Sequence, residues 1–232
     1  MRLALDTAFS ACSVALSNLD GNLVGHAHLD QRRGQVETLV PMVEEVLKKA
    51  GIKPQNITEI VVNIGPGTFA GVRIATSFTR ALALSTGAKT VGLTAFEALA
   101  GTFILKKKAK PGDKILSLVP GKRGEVSGEL FLVEECALKS LKGPETISIK
   151  ALNDFTQCQK VFVAGPDLEN FLKEATGLSP LETLSFWPSA TDLLDLAANL
   201  GPERRSVTVS PFYLRPPDAK TQDPSPFSRE NG

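Results

Sequence analysis

Cysteine and histidine are scarce in this chain of 232 residues. The three cysteines, Cys12, Cys136 and Cys158, are far apart and form no C-x-x-C pair. His26 and His28 are the only histidines, and no third metal ligand lies near them in the sequence. These absences nearly exclude a structural zinc site, which needs about four Cys or His ligands. An odd, scattered set of cysteines also indicates reduced thiols in a reducing compartment.

Strong net charge and long apolar runs are missing as well. The chain carries 26 basic and 25 acidic residues, so its net charge of +1 gives it no overall attraction to nucleic acid or an anionic membrane. No apolar run approaches the roughly 18 residues that a membrane helix needs. Asp6 interrupts the apolar start of the chain before a secretory signal could form. With 42% hydrophobic and 22% charged residues, the sequence predicts a folded globular protein in the cytoplasm.

Hydrophobic periodicity predicts an α/β protein with the order β-β-β-α-β-α-β-α, followed by a second, less regular α/β unit. A basic stretch with proline and glycine at 106–113 separates the two. We therefore expect an N-terminal unit at 1–105, a smaller unit at 106–200, and a return segment with a frayed tail at 201–232. The lysines at 106–110 favour a solvated linker, with RNA contact as the alternative. No internal repeat with a period of about 20–50 residues is evident.

Gly65, Gly67 and Gly71 lie in a loop between a predicted buried strand and a predicted helix. Glycines in this position allow the close backbone approach that phosphate binding requires. The spacing misses the dinucleotide fingerprint, because the third glycine comes one residue late and no acidic residue occurs between Ile60 and Phe96. The loop favours a tight structural turn, with a phosphate site as the alternative.

The helix after this loop has only two charged side chains over residues 71–85, Arg73 and Arg80. A step of about 100° per residue puts one set on the predicted core face: Ile74, Phe78, Ala81 and Leu82. It puts a second set on the predicted outer face: Val72, Thr76, Thr79 and Ala83. An outer face this poor in charge is typical of a helix that packs against another protein. Burial of the helix inside its own fold is the alternative.

Asp6 and Thr7 follow the first predicted strand, where a carboxylate could hold a metal ion or a phosphate-linked water. A lone Asp at a strand end is more often a turn or helix-capping acceptor. Ser10 and Ser13 have no base in a recognisable triad context. The single tryptophan, Trp187, is expected to pack rather than to stack on bases, as is Tyr213.

Several strings in the sequence together resemble one protein family. They are DT at 6–7, CSVAL at 12–16, ETLVP at 37–41, GPGTFAGVR at 65–73, VGLTAFEALA at 91–100 and PFYLR at 211–215. These strings are similar to the TsaB (YeaZ) family, a subunit of the bacterial complex that makes threonylcarbamoyladenosine in tRNA. The resemblance is dense over residues 1–100, thin in the middle of the chain, and returns near the end.

The resemblance implies a two-lobed α/β fold of the actin, sugar-kinase and chaperone-ATPase type (ASKHA, ribonuclease H-like). It also implies a subunit that is not the catalyst. In the family, the paralogue TsaD transfers the threonylcarbamoyl group to the adenosine beside the anticodon. TsaB pairs with TsaD through its first two helices, and the ATPase TsaE docks on the pair. Contact with tRNA would then be indirect, and the free subunit could pair with itself through the same surface.

The resemblance also assigns site residues to this chain. The expected partner-binding residues are Val36, Val40, Val43, Phe69, Val72, Arg73, Thr76, Thr79, Arg80 and Ala83. The expected vestigial nucleotide cleft comprises Asp6, Thr7, Gly65, Gly67 and Gly71. No cofactor is expected to be required, and any ATP or ADP would bind weakly or at an interface.

Three positions depart from the family pattern. Gln35 stands where the family usually has a histidine on the first helix, and Pro120 and Ser127 replace an Asp and a Tyr at the second-lobe hairpin. Residues 34–37 also lack the paired histidines that hold the metal of the catalytic relative, so no catalytic residue and no metal site are expected. One alternative is an ATP-dependent phosphotransferase or hydrolase of the same fold, with Asp6 on the metal and the 65–71 loop on phosphates. A glycoprotease is disfavoured, because no nucleophile–base pair is evident.

Overall fold

The computed structural model describes residues 1–30, 34–121, 124–135, 137–157, 159–198 and 209–214. Two five-stranded mixed sheets and six helices form these parts. The strands are β1 (Arg2–Asp6), β2 (Ala11–Ser17), β3 (Leu23–Asp30), β4 (Glu59–Gly65), β5 (Lys89–Thr94), β6 (Lys114–Pro120), β7 (Glu125–Val133), β8 (Leu138–Ser148), β9 (Phe162–Gly165) and β10 (Thr183–Ser185). The helices are α1 (Gln35–Ala50), α2 (Phe69–Thr86), α3 (Ala95–Lys107), α4 (Leu152–Phe155), α5 (Leu168–Glu174) and α6 (Ala190–Ala198). The predicted two-lobed α/β fold class is confirmed.

The two sheets share one topology. Their strand orders are β3-β2-β1-β4-β5 and β8-β7-β6-β9-β10. In each sheet the first three strands form an antiparallel meander, and two further strands then add in parallel beside the first. The second lobe therefore repeats the architecture of the first, although no repeat is evident in the sequence. The sequence analysis missed two of these strands, β8 and β10.

Alternation along the central strands of the first sheet builds two cores. Leu3 and Leu5 of β1 point to the side covered by α1 and α2, whereas Ala4 points to the side covered by α6. The helix α6 was expected in the unit at 106–200, yet it packs against β1 and β2 of the first sheet. The helix α3 joins the lobes, because Phe96 and Phe103 share a buried cluster with β6 and β7.

The basic stretch that begins in the last turn of α3 forms ion pairs with acidic side chains. Lys106 Nζ lies 3.2 Å from Asp192 Oδ1, and Lys107 Nζ lies 2.6 Å from Glu182 Oε1. Lys106 also approaches the ring of Phe186, at 5.0 Å from its centroid. These two lysines thus hold α3 to neighbouring segments, which differs from the simple solvated linker that the sequence favoured.

Cys12 is buried with a free thiol, and Cys136 and Cys158 lie outside the described residues. Among the helices within the described ranges, none has both the length and the apolar character to cross a membrane.

The predicted outer face of α2 is wrong. Val72, Thr76, Thr79 and Ala83 were expected there, but all four are buried within the chain. Of the residues assigned to the core, Ala81 is exposed, whereas Ile74, Phe78 and Leu82 are half-buried and pack against the core cluster. Small side chains face inward because α2 packs closely on the large side chains of β1 and β4. The hydroxyl of Thr76 is satisfied within the helix, since its Oγ1 donates to Val72 O at 2.8 Å.

Two neighbouring substitutions test this orientation. Thr76→Glu should lower the free energy of unfolding by about 3 kcal/mol or more, because it buries an unpaired carboxylate. Ser77→Glu, on the exposed side, should change it by less than about 0.5 kcal/mol. Chemical denaturation of both variants measures the difference, and equal stabilities would contradict the orientation of α2.

Candidate functional site

The glycine-rich loop between β4 and α2 is clamped onto the loop that follows β1. Thr68 N–H donates to Ala8 O at 2.7 Å, and Thr7 Oγ1 donates to Gly71 O at 2.6 Å. A Cβ atom on Gly67 would overlap the backbone of Ala8, and one on Gly71 would overlap the carbonyl oxygen of Thr7. Two of the glycines are therefore explained by backbone contact between the loops.

Alanine substitution of Gly71 tests the close contact between the two loops. Gly71→Ala should destabilise the chain by about 1–3 kcal/mol, because the added methyl group forces the two loops apart. In a protein of this size that corresponds to a decrease in Tm of roughly 2–10 °C. Gly25→Ala is the matched control, since its Cβ would meet Val46 Cγ1 at an ordinary 3.5 Å. If the Gly71→Ala variant is as stable as the control, the close contact between the two loops is contradicted.

The return segment at 209–214 lies against the other side of the same loop. Phe212 N–H donates to Ile64 O at 2.7 Å. Arg73 Nε donates to the hydroxyl of Tyr213 at 2.9 Å, and the Arg73 guanidinium lies 3.7 Å from the centroid of the Phe69 ring. Phe69, Arg73 and Tyr213 thus form a stack that fastens the return segment to the start of α2.

A cavity of about 520 Å³ opens on the opposite side of the β1–β2 loop. Its lining combines acidic, hydroxyl and aromatic side chains from distant parts of the chain: Asp6, Phe9, Ser10, Ala11, Ser13, His28, Asp30, Trp187 and Pro188. The rings of Phe9 and Trp187 pack with their centroids 4.6 Å apart. His28 Nε2 lies 3.0 Å from Asp30 Oδ1 at the rim. The expected packing role of Trp187 is therefore only partial, because 40% of its surface is exposed.

Asp6 lies buried on the floor of this cavity. Its Oδ1 accepts the Ala8 N–H at 2.8 Å, and its Oδ2 accepts a hydrogen bond from Asn63 Nδ2 at 3.0 Å. Burial raises the pKa of Asp6 from 3.8 to about 6, and the two hydrogen bonds oppose this rise. Because the pKa of Asp6 is higher in the folded chain than its ordinary value of 3.8, protonation of Asp6 stabilises the fold at low pH. This stabilisation is lost as the pH rises through about 6.

Substitution of Asn63 tests how its side-chain amide affects the pKa of Asp6. Asn63→Ala should raise the pKa of Asp6 above the value of about 6 in the unaltered chain, because the carboxylate loses a donor. Carbon-13 NMR titration of the aspartate carboxyl groups provides the measurement. Asn18→Ala, which removes an exposed hydrogen bond to Asp20, should leave the Asp6 titration unchanged. A fall in the pKa of Asp6 in Asn63→Ala would contradict the assignment.

Several of the residues that were expected to form one nucleotide cleft are in contact. Thr7 Oγ1 donates to Gly71 O, and Asn63 links Asp6 to the Gly65 N–H. Of the five, Asp6 also lines the cavity. Ser10, Ser13 and His28 do line it, although the sequence analysis set them aside. No sequence motif unites them, since they meet only through the pairing of β1, β2 and β3. In the described ranges, no group of three or more His, Cys, Asp and Glu side chains is arranged to hold a metal ion.

Comparison with known proteins identifies the family. The family model for TsaD, tRNA N6-adenosine threonylcarbamoyltransferase, matches residues 29–214, which is well over half of the chain. The "tRNA threonylcarbamoyladenosine biosynthesis protein TsaB" of Haemophilus influenzae is 31% identical over 229 residues, which cover 92% of each chain. The chain belongs to the TsaB family.

Two further similarities are consistent with this family. The Escherichia coli TsaB protein is 28% identical over 225 residues, covering 92% of this chain and 94% of its own length. Among solved structures, YeaZ from Pseudomonas aeruginosa superposes with a TM-score of 0.72 at 24% identity, covering 84% of this chain and 89% of that one. The latter similarity supports the fold.

Among the positions that depart from the family pattern, Gln35 has a structural role. Its side chain is buried, and Nε2 donates to Phe9 O at 3.2 Å, so it holds the β1–β2 loop. Pro120 ends β6, and Ser127 lies buried in β7 at the second-lobe hairpin.

Half of the expected TsaB partner-binding residues face outward. Val36, Val40, Phe69, Arg73 and Arg80 are exposed. Val43 is buried together with Val72, Thr76, Thr79 and Ala83, so these five are corrected to core positions. Leu84 was missed, although it is 89% exposed on α2. Its position four residues after Arg80 would have placed it outward if the helix orientation had been right. We call Val36, Val40, Phe69, Arg73, Arg80 and Leu84 the helical face.

Proposed function

We propose that this chain is a non-catalytic subunit of the complex that makes N6-threonylcarbamoyladenosine in tRNA. In this role it binds a TsaD-type catalytic subunit through the helical face and supports that subunit during threonylcarbamoyl transfer to the adenosine next to the anticodon. A TsaE-type ATPase would dock on the pair, and tRNA would be contacted through the complex.

The observation that carries this proposal is the exposed apolar surface of α1 and α2. Val36, Val40, Phe69 and Leu84 are 62%, 43%, 43% and 89% exposed. The helices contact each other on the same side of the first sheet. Large exposed apolar groups beside arginine and aromatic side chains are the composition of a protein-binding surface.

The charges of the two helices suggest how a partner would be oriented. The exposed side of α2 carries Arg73 and Arg80 and no carboxylate, whereas the exposed side of α1 carries both acidic and basic groups: Glu37, Glu44, Glu45, Lys48 and Lys49. A partner helix with carboxylates opposite α2 would complement its arginines. Because one copy of the chain presents both signs, two copies could also pair with each other when the partner is absent.

The non-catalytic part of the proposal rests on Gln35 and on the 65–71 loop. Gln35 occupies the position of the family's histidine and is committed to a backbone carbonyl. The 65–71 loop uses the Thr68 and Gly71 amides within the chain, which disfavours the alternative of an ATP-dependent phosphotransferase or hydrolase. We therefore propose that the chain requires no cofactor of its own, and that any ATP or ADP lies at an interface.

A matched pair of substitutions tests the partner surface. Leu84→Glu should weaken binding to the TsaD-type subunit of the same organism by at least about tenfold, because it buries an unpaired charge at the contact. Leu181→Glu makes the same change at a leucine that is 53% exposed on the second lobe. It should leave the affinity unchanged. Isothermal titration calorimetry with both purified proteins gives the two dissociation constants.

Thermal melts of both variants control for folding, and reconstituted tRNA modification gives a second measurement. The Leu84→Glu variant should need proportionally more protein to restore modification. Tight binding by Leu84→Glu would place the contact elsewhere on the chain. Modification of tRNA by this chain without a TsaD-type subunit would refute the non-catalytic role.

A further inference from the structure

The cavity at Asp6 is not used by the proposed function. None of its lining residues belongs to the helical face. It combines a buried carboxylate, a buried hydroxyl at Ser13, and an aromatic wall formed by Phe9 and Trp187. A concave, mostly apolar space with a few convergent polar groups is the usual form of a small-molecule site.

Three backbone donors near the cavity, those of Ala8, Ser189 and Ala190, are engaged within the chain, so a phosphate group would find them occupied. Ala8 N–H donates to Asp6, and Ala190 N–H at the start of α6 donates to Ser13 Oγ at 2.9 Å. The preceding amide, that of Ser189, donates to Asp192 Oδ2 at 3.0 Å. A phosphate at this helix start would have to displace these acceptors and approach two carboxylates, Asp6 and Asp192.

The side chains that line the cavity favour a positively charged ligand. Asp6 and Asp30 provide carboxylates from β1 and β3, and no lysine or arginine occurs among the described lining residues. The faces of Phe9 and Trp187 would attract an ammonium group and also cover an apolar body. We propose that this cavity binds a small organic cation, an ammonium group carried on an apolar or aromatic body and lacking a carboxylate.

The charged groups around Asp6 are consistent with this ligand class. Asp192 of α6 raises the pKa of Asp6, and His28 of β3 lowers it. Lys106 is paired with Asp192 at 3.2 Å. A bound ammonium would lower the pKa of Asp6 from about 6, so amine binding should strengthen as the pH rises through that value.

Trp187 is the only tryptophan of the chain, so its fluorescence reports directly on the cavity. The unaltered 232-residue protein would be titrated at pH 8 with phenethylamine and, separately, with 2-phenylethanol, its uncharged analogue. Phenethylamine should bind saturably and at least about tenfold more tightly, since a hydrogen bond to a charged partner adds about 1.5–3 kcal/mol.

Three substitutions separate the carboxylates. Asp6→Asn should reduce phenethylamine binding to the level of 2-phenylethanol, with folding checked by a thermal melt. Asp30→Asn alters a side chain that is 89% exposed, so it keeps the test valid if Asp6→Asn does not fold. It should weaken binding by up to about fivefold. Asp20→Asn, in the exposed β2–β3 turn, should have no effect.

Equal affinity for the amine and the alcohol would overturn the proposal, as would no saturable response to phenethylamine. ADP with Mg²⁺ that changes Trp187 fluorescence and displaces the amine would identify a nucleotide site instead. These outcomes do not depend on the TsaD-type partner, so they leave the proposed function untouched.

Discussion

The first lobe depends on a backbone contact between the loop after β1 and the loop after β4. At this point Thr68 N–H reaches Ala8 O, Thr7 Oγ1 reaches Gly71 O, and no side chain fits between the two loops. The contact fixes where α2 begins, because Gly71 lies in its first turn. It also leaves the Ile64 carbonyl free to accept Phe212 N–H from the return segment. One close approach thus positions a helix, the return segment and one wall of a cavity.

This contact changes how the glycine-rich string is interpreted. A strand, glycines and a helix start together can cradle a phosphate, provided that their amides point into open space. In this chain Thr68 and Gly71 donate within the fold, and the return segment packs against Gly65. The string that identifies the family therefore has a structural explanation that requires no nucleotide. The polar cavity on the other side of Asp6 is lined by different residues.

The sequence predicted those elements whose hydrophobic pattern matches the way they are buried in the fold. The helix α1 and the strand β4 both occur in the predicted order, since one has a clear apolar stripe and the other is buried on both faces. The edge strand β8 was missed because most of it is exposed and Gly143-Pro144 interrupts it. The shared topology of the two sheets was invisible as well, because strand order depends on long-range pairing and different side chains can produce it.

The orientation of α2 failed for a different reason. Its buried side carries threonine, alanine and glycine, whereas its partly exposed side carries Ile74, Phe78 and Leu82. Hydrophobicity alone then identifies the half-buried side, which packs against the edge of the core, and misses the side that is fully buried. The side facing the sheet is chosen by size, because only small groups allow the helix axis to approach β1 and β4. Similarly, the cavity residues were set aside one by one, since their proximity arises only when three strands pair.

The exposed leucine on α2 follows from the same packing. A helix that buries its small residues must turn larger ones outward, and Leu84 gains almost no burial within the chain, being 89% exposed. Burying such a side chain is worth about 1.5–3 kcal/mol, and here that free energy is not used in folding. Val36, Val40 and Phe69 are also partly exposed, so their burial by a partner would contribute further free energy to binding. The close packing that stabilises the first lobe therefore leaves its unused hydrophobic surface on the two helices through which we propose the partner binds.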